Sequence, residues 1–519
     1  MLRSGFLAST FLLLLAPHLV LGAAAPPPDQ WIAVVAPAYR EAMRPLIAHR
    51  QAQGLRVVVL APEKAPDLRK RLAALCKAHP GRSSILLVGD VRSIHANREV
   101  PACEGTISRM LDQPTDAPYG CLDASRVPQV AVGRFPAREV AHCEAMVRKT
   151  IALEKAGPGA WKQQLRVLAG IPAFNPAVDR LVESLAFARF DRLAPTWSGR
   201  ALYTSASSRF FLPEKDLSAA ARDMLAEQHL VTLYLGHSDP RGLYAGGETP
   251  WLTSDDFAKL RMPSGGLFFT FGCLGAQLRG FGGEGYTLAA MRNPSGPAAT
   301  LGSTGVCFAA MVQLATDRLF ERAFAERLPA TVGECWLACL EGVALGKIDF
   351  LTYRLLDSVD GDSKIPQATQ RQEHLEMFIL LGDPALRLPR IADDITWRAP
   401  VAIEPGTEWT IEGRLPQRLR GARVTVELER TPASVPEGLL PVTPERRTEN
   451  LRANFTRANR FLLAETSTTA EGQRFTARLQ LPEKLPWPRV IVRIRASTKE
   501  TEAATAARVS VKPAGEAKK

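Results

Sequence analysis

From Trp31 onward the chain alternates short apolar runs with longer amphipathic ones, and this alternation constrains the fold more than any other feature. Trp31 to Val35 is apolar throughout, as in a strand buried on both faces. Tyr39 to Gln53 places Met43, Leu46 and Ile47 at helical spacing and stops at Gly54, with Pro45 starting or kinking the helix. Leu55 to Leu60 reads as a second strand, Asp67 to Lys77 as a second helix and Ile85 to Gly89 as a third strand. A βαβαβ succession needs crossover connections and builds a parallel sheet. Gly89-Asp90 then falls at a strand's C-terminal end, where open α/β sheets carry their functional loops.

The region from His95 to Pro128 is rich in turn residues. Gln129 to Val132 is a short strand ending in Gly133-Arg134, and Arg138 to Lys155 is a long helix before Gly157-Pro158-Gly159. That break sets a subdomain boundary near residue 160. The pattern resumes with strand Leu165 to Gly170, helix Asp179 to Arg189, strands Leu230 to Leu235 and Gly266 to Phe271, helix Tyr286 to Met291 and strand Ala298 to Leu301. Past Pro389 come short β runs, including Glu408 to Glu412, Arg423 to Glu429, Phe475 to Leu481 and Val490 to Ala496. They predict a small β-sandwich. The expected organisation is an N-terminal α/β subdomain over 26–160, a second α/β subdomain over 161–392 and a β-sandwich over 393–519, with no internal repeat.

Residues 1–25 predict a cleavable signal peptide: Arg3, an apolar run from Phe6 to Leu21, then Gly22-Ala23-Ala24-Ala25. Pro17 and His18 inside that run argue against an uncleaved anchor. The expected location is secreted or cell-envelope. No later segment approaches about 20 uninterrupted apolar residues, so no transmembrane segment is expected in the mature chain. The net charge of +12 looks like nucleic-acid binding, but the 65 basic residues are interspersed with 53 acidic ones, as in a solubilising surface. Eight cysteines in 519 residues are too few for a disulfide scaffold, and none has zinc-site spacing.

Two strand ends carry chemistry. Leu233-Tyr234-Leu235-Gly236-His237-Ser238 delivers a histidine directly after a glycine, and Leu267-Phe268-Phe269-Thr270-Phe271-Gly272-Cys273 delivers a cysteine in the same way. Neighbouring parallel strands lie about 4.8 Å apart, so adjacent strand ends can unite a thiol and an imidazole. The imidazole favours the thiolate and can protonate a leaving amine. The two glycines let a substrate backbone approach without meeting a Cβ. The bland readings are a solvated strand-end histidine and a buried cysteine acting as a small hydrophobe.

Further segments follow in order: Ile85-Leu86-Leu87-Val88-Gly89-Asp90, Pro101, Thr115-Asp116-Ala117-Pro118-Tyr119 and Val130-Ala131-Val132-Gly133-Arg134-Phe135-Pro136-Ala137. Gly236-His237, Phe271-Gly272-Cys273, Gly302-Ser303 and Leu380-Leu381-Gly382-Asp383-Pro384-Ala385-Leu386 complete the set. With these segments the chain from Trp31 to about Pro389 resembles the gingipain-like family of cysteine peptidases, clan relatives of the caspases. The resemblance implies a caspase-like catalytic unit of two α/β subdomains with parallel-rich sheets, and the tail looks like the immunoglobulin-like domain that follows it in gingipains. It implies peptide hydrolysis through a thioacyl-enzyme, with Cys273 as nucleophile, His237 as general acid/base and the Cys273 and Ser238 backbone N–H groups as oxyanion hole. Protein or peptide substrates are the implied partners, and no cofactor is required. The family carries glycine after its histidine; Ser238 departs from that pattern and is positioned to crowd the oxyanion site. The resemblance also implies an acid that orients the histidine, from a loop that falls near 170–179 here, where Asp179 is the first carboxylate; a dyad without a third member stands equally open.

Lesser features have structural readings. Gly280-Phe281-Gly282-Gly283-Glu284-Gly285 fits a dinucleotide fingerprint but follows no strand directly and reads as a loop after Cys273. Gly382-Asp383-Pro384 reads as a turn. Asp357, Asp360 and Asp362 leave a structural calcium ion open without the full EF-hand spacing. Cys103 and Cys121 flank a loop and can pair after export, whereas Cys335 and Cys339 share a helix face and pack. Asn454-Phe455-Thr456 is a glycosylation sequon. Glu284 and Asp239 lie near the catalytic motifs, with no motif placing either in a specificity pocket. Against the endopeptidase stands a catalytically weak or inactive member serving binding or surface assembly; a transpeptidase uses the same residues.

Overall fold

The apolar runs pair side by side into one ten-stranded sheet. Its strands are β1 (Gln30–Val35), β2 (Arg56–Leu60), β3 (Ser83–Val88), β4 (Ala131–Phe135), β5 (Gln164–Ala169), β6 (Ser198–Tyr203), β7 (Val231–Leu235), β8 (Leu267–Phe271), β9 (Ala299–Ser303) and β10 (Phe378–Leu381). The spatial order is β2-β1-β3-β4-β10-β9-β8-β7-β5-β6. Strand β10 runs antiparallel to β9 and meets β4 through the single pair Leu381 and Arg134. The other pairings are parallel, as the crossover helices require. The computed structural model describes residues 28–512 except 108–109, 171–182, 185, 188–189, 192–194, 247, 281–282, 326–329 and 360–363. The expected signal peptide and the 179–189 helix start lie outside the described residues. Strands from both sides of residue 160 share this sheet.

Helix α1 (Arg40–Ala52) buries Ala42, Met43, Leu46 and Arg50 and keeps Pro45 on its exposed face, where the missing N–H costs least. Arg50 is fully buried; its guanidinium donates to Asp383 at 2.8 and 3.0 Å and to Glu154 at 2.8 Å. Trp31 Nε1 donates to the other Asp383 oxygen at 3.0 Å. Asp383 of the Gly-Asp-Pro turn thus ties the end of the α/β unit to its first strand and helix. Strand β4 continues through Gly133 and Arg134, beyond the expected end at Val132. The buried Arg134 reaches out of it to both Asp116 oxygens at 2.7 Å and to the carbonyls of Gly89 and Val100 at 2.9 Å.

The tail forms two sheets around its own core, which includes Trp409, Ile411, Val424, Val426, Val492 and Ile494. A helix absent from the sequence reading, Arg447–Ala458, is inserted between two of its strands and faces the α/β unit. Phe455 packs with Leu217 and Leu252; Ala458 and Phe461 pack with Ala201, Tyr203 and Phe210. The Asn459 amide accepts from Ala201 N–H at 2.8 Å and donates to Ala201 C=O at 3.0 Å. Lys162 and Glu502 form a nearly buried ion pair at 2.6 Å. The sequon asparagine is committed elsewhere: Asn454 is buried and exchanges two hydrogen bonds with the Leu440 backbone, which leaves its amide no room for a glycan. All eight cysteines are reduced thiols, so the Cys103–Cys121 pairing is not made, and Cys335 and Cys339 are core residues. No helix among the described residues is long and apolar enough to cross a membrane.

A buried histidine gives the fold a pH signature. His229 precedes β7 with no exposed surface, bonded to Thr232 Oγ1 and the Glu227 carbonyl at 2.7 Å each. Burial, reinforced by the nearby Arg166 guanidinium, pushes its imidazole down to about 4. The unfolded value is near 6.5, so across that interval the unfolded chain binds the extra proton and stability rises with pH. His229→Gln is expected to remove up to about 3 kcal/mol of that pH dependence. Urea midpoints from pH 4.5 to 7 test this, and a wild-type slope in the variant contradicts it.

Candidate active site

Strands β7 and β8 are parallel neighbours, with Leu235 opposite Phe271 as their last pair. Two residues beyond that pair stand His237 on one chain and Cys273 on the other, at matching positions past adjacent strand ends. Each is preceded by a glycine, and the structure gives those glycines a packing reason. Gly236 has φ +149°, and a Cβ there would stand 2.8 Å from Gly170 N and Tyr234 Oη. At Gly272 a Cβ would stand 2.2 Å from Ser238 Oγ.

The His237 side chain is exposed while its carbonyl is held twice, by Tyr234 Oη at 2.5 Å and by Tyr244 N–H at 3.0 Å. Ser238 opposes Leu243 in a short hairpin of Ser238–Asp239 and Gly242–Tyr244. The Tyr244-to-His237 bond makes that pair the non-hydrogen-bonded kind, so the Ser238 N–H points away from the hairpin. Its Oγ donates to the Cys273 carbonyl at 2.7 Å. The departure at Ser238 is therefore a strut between the two strand ends, occupying the space that Gly272 vacates.

Cys273 is half-buried, and its Sγ accepts the Cys307 N–H at 3.3 Å. The chain turns sharply after it: Leu274 adopts φ +59°, its N–H bonded to Gly305 C=O at 3.0 Å, and Ala276 N–H bonds to Ser303 C=O at 2.9 Å. The loop after β8 is thus stitched to the loop after β9. That second loop is anchored by the buried His374, whose Nε2 accepts from Phe308 N–H at 2.9 Å while Nδ1 faces Gln370 C=O at 2.7 Å. This pattern assigns the neutral tautomer with its proton on Nδ1. Sequence reasoning missed Cys307 and His374. The available signal for Cys307 was its place just past a third apolar strand, and His374 had none.

Both nearby acids are occupied. Burial raises the Asp239 carboxyl, but Arg241 and Tyr244 bonds outweigh it and hold the group below its ordinary range. Glu284 bridges Arg292 at 2.5 Å and Arg138 at 2.6 Å. Asp179 lies outside the described residues, as do Asp360, Asp362, Phe281 and Gly282. Asp357 is buried and takes the Gln370 amide at 3.3 Å. Among the described residues no three His, Cys, Asp or Glu side chains gather in a metal-holding group.

The family model for peptidase family C25 matches residues 24–389. The solved complex of Porphyromonas gingivalis RgpB pro- and mature domains aligns at 16% identity with a TM-score of 0.52, over 93% of this chain and 100% of that chain. A structure described as a protease aligns at 12% identity and a TM-score of 0.53, over 93% of this chain and 97% of that one. No curated protein matches the chain. The two structures share its fold, and the family match covers the whole ten-stranded unit: the chain belongs to peptidase family C25, a family of cysteine peptidases.

Proposed function

We propose that this chain is an exported cysteine endopeptidase working through a Cys273–His237 dyad. The observation that carries the reading is the in-register delivery of Gly236-His237 and Gly272-Cys273 by adjacent parallel strands. In this reading the Cys273 thiolate attacks the scissile carbonyl, with Ser238 and Cys273 N–H groups receiving the oxyanion. His237 gives its proton to the leaving amine, and water then hydrolyses the thioacyl-enzyme. Asp179 is the proposed orienting acid. Export rests on the leader pattern of residues 1–25. Asp239 and Glu284, already paired with arginines, are poor anchors for a basic substrate side chain.

Labelling with a thiol-reactive peptidyl electrophile tests the reading. Burial pushes the Cys103 and Cys143 thiols up to about 12 and Cys121 to about 11, and raises Cys76, Cys335 and Cys339 as well. Cys273 is expected to label fastest, and only while His237 is intact. Equal labelling of several thiols, or labelling indifferent to His237→Ala, would assign the chain to the non-catalytic binding class.

Ser238 gives a second expectation. Ser238→Ala and Ser238→Gly both remove the Oγ bond that holds the Cys273 carbonyl, a loss of about 1 kcal/mol in positioning. Turnover should fall roughly five- to tenfold in both. Wild-type or higher kcat in the glycine variant would show that the strut contributes nothing to the nucleophile's placement.

A further inference from the structure

Cys307 has no place in the dyad reading, yet it lies against the nucleophile in two ways. Its N–H reaches Cys273 Sγ at 3.3 Å, and its own Sγ donates to Gly272 C=O at 3.7 Å. With an N–Cα bond of about 1.46 Å, the Cys307 Cα lies no more than about 4.8 Å from Cys273 Sγ. The second contact sets the Cys307 sulfur beside the peptide that enters Cys273. A disulfide spans Cα atoms about 4.4–6.8 Å apart, and with the Cys307 backbone in contact with the Cys273 sulfur, closing one asks for side-chain rotation and at most a small loop adjustment. The two loops stay in this relation because Leu274 N–H bonds Gly305 C=O and Ala276 N–H bonds Ser303 C=O.

The accessibility of the two sulfurs differs as an oxidation relay requires. Cys273 is half-buried, while Cys307 is only 7% exposed. A small oxidant therefore meets Cys273 first. Each of the other six thiols is held protonated by burial and reacts slowly.

We propose that Cys307 is a resolving thiol for Cys273, so that a hydroperoxide converts the site reversibly into a Cys273–Cys307 disulfide. The Cys273 thiolate attacks the distal peroxide oxygen; the O–O bond breaks, an alkoxide or hydroxide leaves and takes up a proton, and Cys273 becomes a sulfenic acid. The Cys307 sulfur then attacks the Cys273 sulfur. The S–S bond forms, the S–O bond breaks, and the departing hydroxide leaves as water with the Cys307 proton. Overall two thiols lose two electrons to one peroxide, and an external dithiol returns them. The disulfide silences the nucleophile and shields it from irreversible oxidation to the sulfinic acid. The proposal rests on Cys273 being the reactive thiolate of the reading above.

The test uses the full chain, reduced, freed of reductant and exposed to one equivalent of hydrogen peroxide. Remaining thiols are then blocked and the chain is cut with trypsin. Cys273 lies in the fragment Met262–Arg279 and Cys307 in Asn293–Arg318, each with a single cysteine. The expected result is a linked pair of these fragments in at least tenfold excess over any other cross-link. Dithiothreitol should remove the link and restore electrophile labelling of Cys273 to at least 80% of its starting level. Cys307→Ala should give no link and a Cys273 sulfinic acid that dithiothreitol does not recover. Sulfinic acid at Cys273 without a linked pair in the wild type, or reversible protection in Cys307→Ala, would overturn the proposal. Peptide hydrolysis by the reduced chain, measured in parallel, keeps the two readings apart. A linked pair in a chain without hydrolysis sinks the endopeptidase alone, and hydrolysis without the link sinks the resolving thiol alone.

Discussion

Cys273→Ala is expected to abolish peptide hydrolysis and leave the fold in place. The sulfur is half-buried at a loop, so its removal opens little core volume, while the hydrolysis proposed above loses its nucleophile. His237→Ala should lower kcat by about 10²- to 10⁴-fold and move the alkylation profile of Cys273 to higher pH, because in the proposed dyad the thiolate loses its imidazole partner. The histidine is exposed, so this variant should melt with the wild type. Turnover above a tenth of wild type in Cys273→Ala, with thermal melts unchanged, removes that residue from the chemistry. An unshifted alkylation profile in His237→Ala removes the pairing.

The largest stability effect is expected at Arg134. Its guanidinium is fully buried and answers a nearly buried carboxylate and two main-chain carbonyls at once. Arg134→Met fills similar volume but strands Asp116 without its cation, a loss of about 3–5 kcal/mol. The double variant Arg134→Met, Asp116→Leu should recover part of it, since a buried pair costs more broken than replaced. Urea titration measures both. A single variant within about 1 kcal/mol of wild type would mean that water or a rearranged loop satisfies Asp116 without the arginine.

The same arginine explains which parts of this protein are readable in its sequence. The strands β1, β3, β7 and β8 are continuous apolar runs between turn residues, and they appear where their patterns place them. The edge strand Ser198–Tyr203 has no such run, because Ser198, Gly199 and Arg200 fill its first half. Strand β10 follows the helix Gln367–Met377 without a turn residue, so its antiparallel start is invisible to periodicity. Motifs carrying the family resemblance turn out to be internal struts: Thr115-Asp116 and Gly133-Arg134 fix one group of loops, and Gly382-Asp383 closes the unit on Trp31 and Arg50. Two strand ends bearing a histidine and a cysteine were legible as residue types just past apolar runs. Their in-step alignment depends on β7–β8 register, and the Ser238 strut and Cys307 contact depend on loops that meet only in three dimensions.

The helix inserted in the tail has a consequence for the whole chain's solubility. Strand β6 is one margin of the ten-stranded sheet, with a row of main-chain groups that no further strand among the described residues pairs. The Asn459 amide, bonded to both the N–H and the C=O of Ala201, imitates one rung of a missing neighbour. Phe461 and Ala458 roof the adjoining apolar surface of Ala201 and Tyr203. Such margins recruit strands from other molecules when left bare. The tail thus acts as a guard against intermolecular sheet extension, and a chain cut after residue 392 loses that guard along with its β-sandwich.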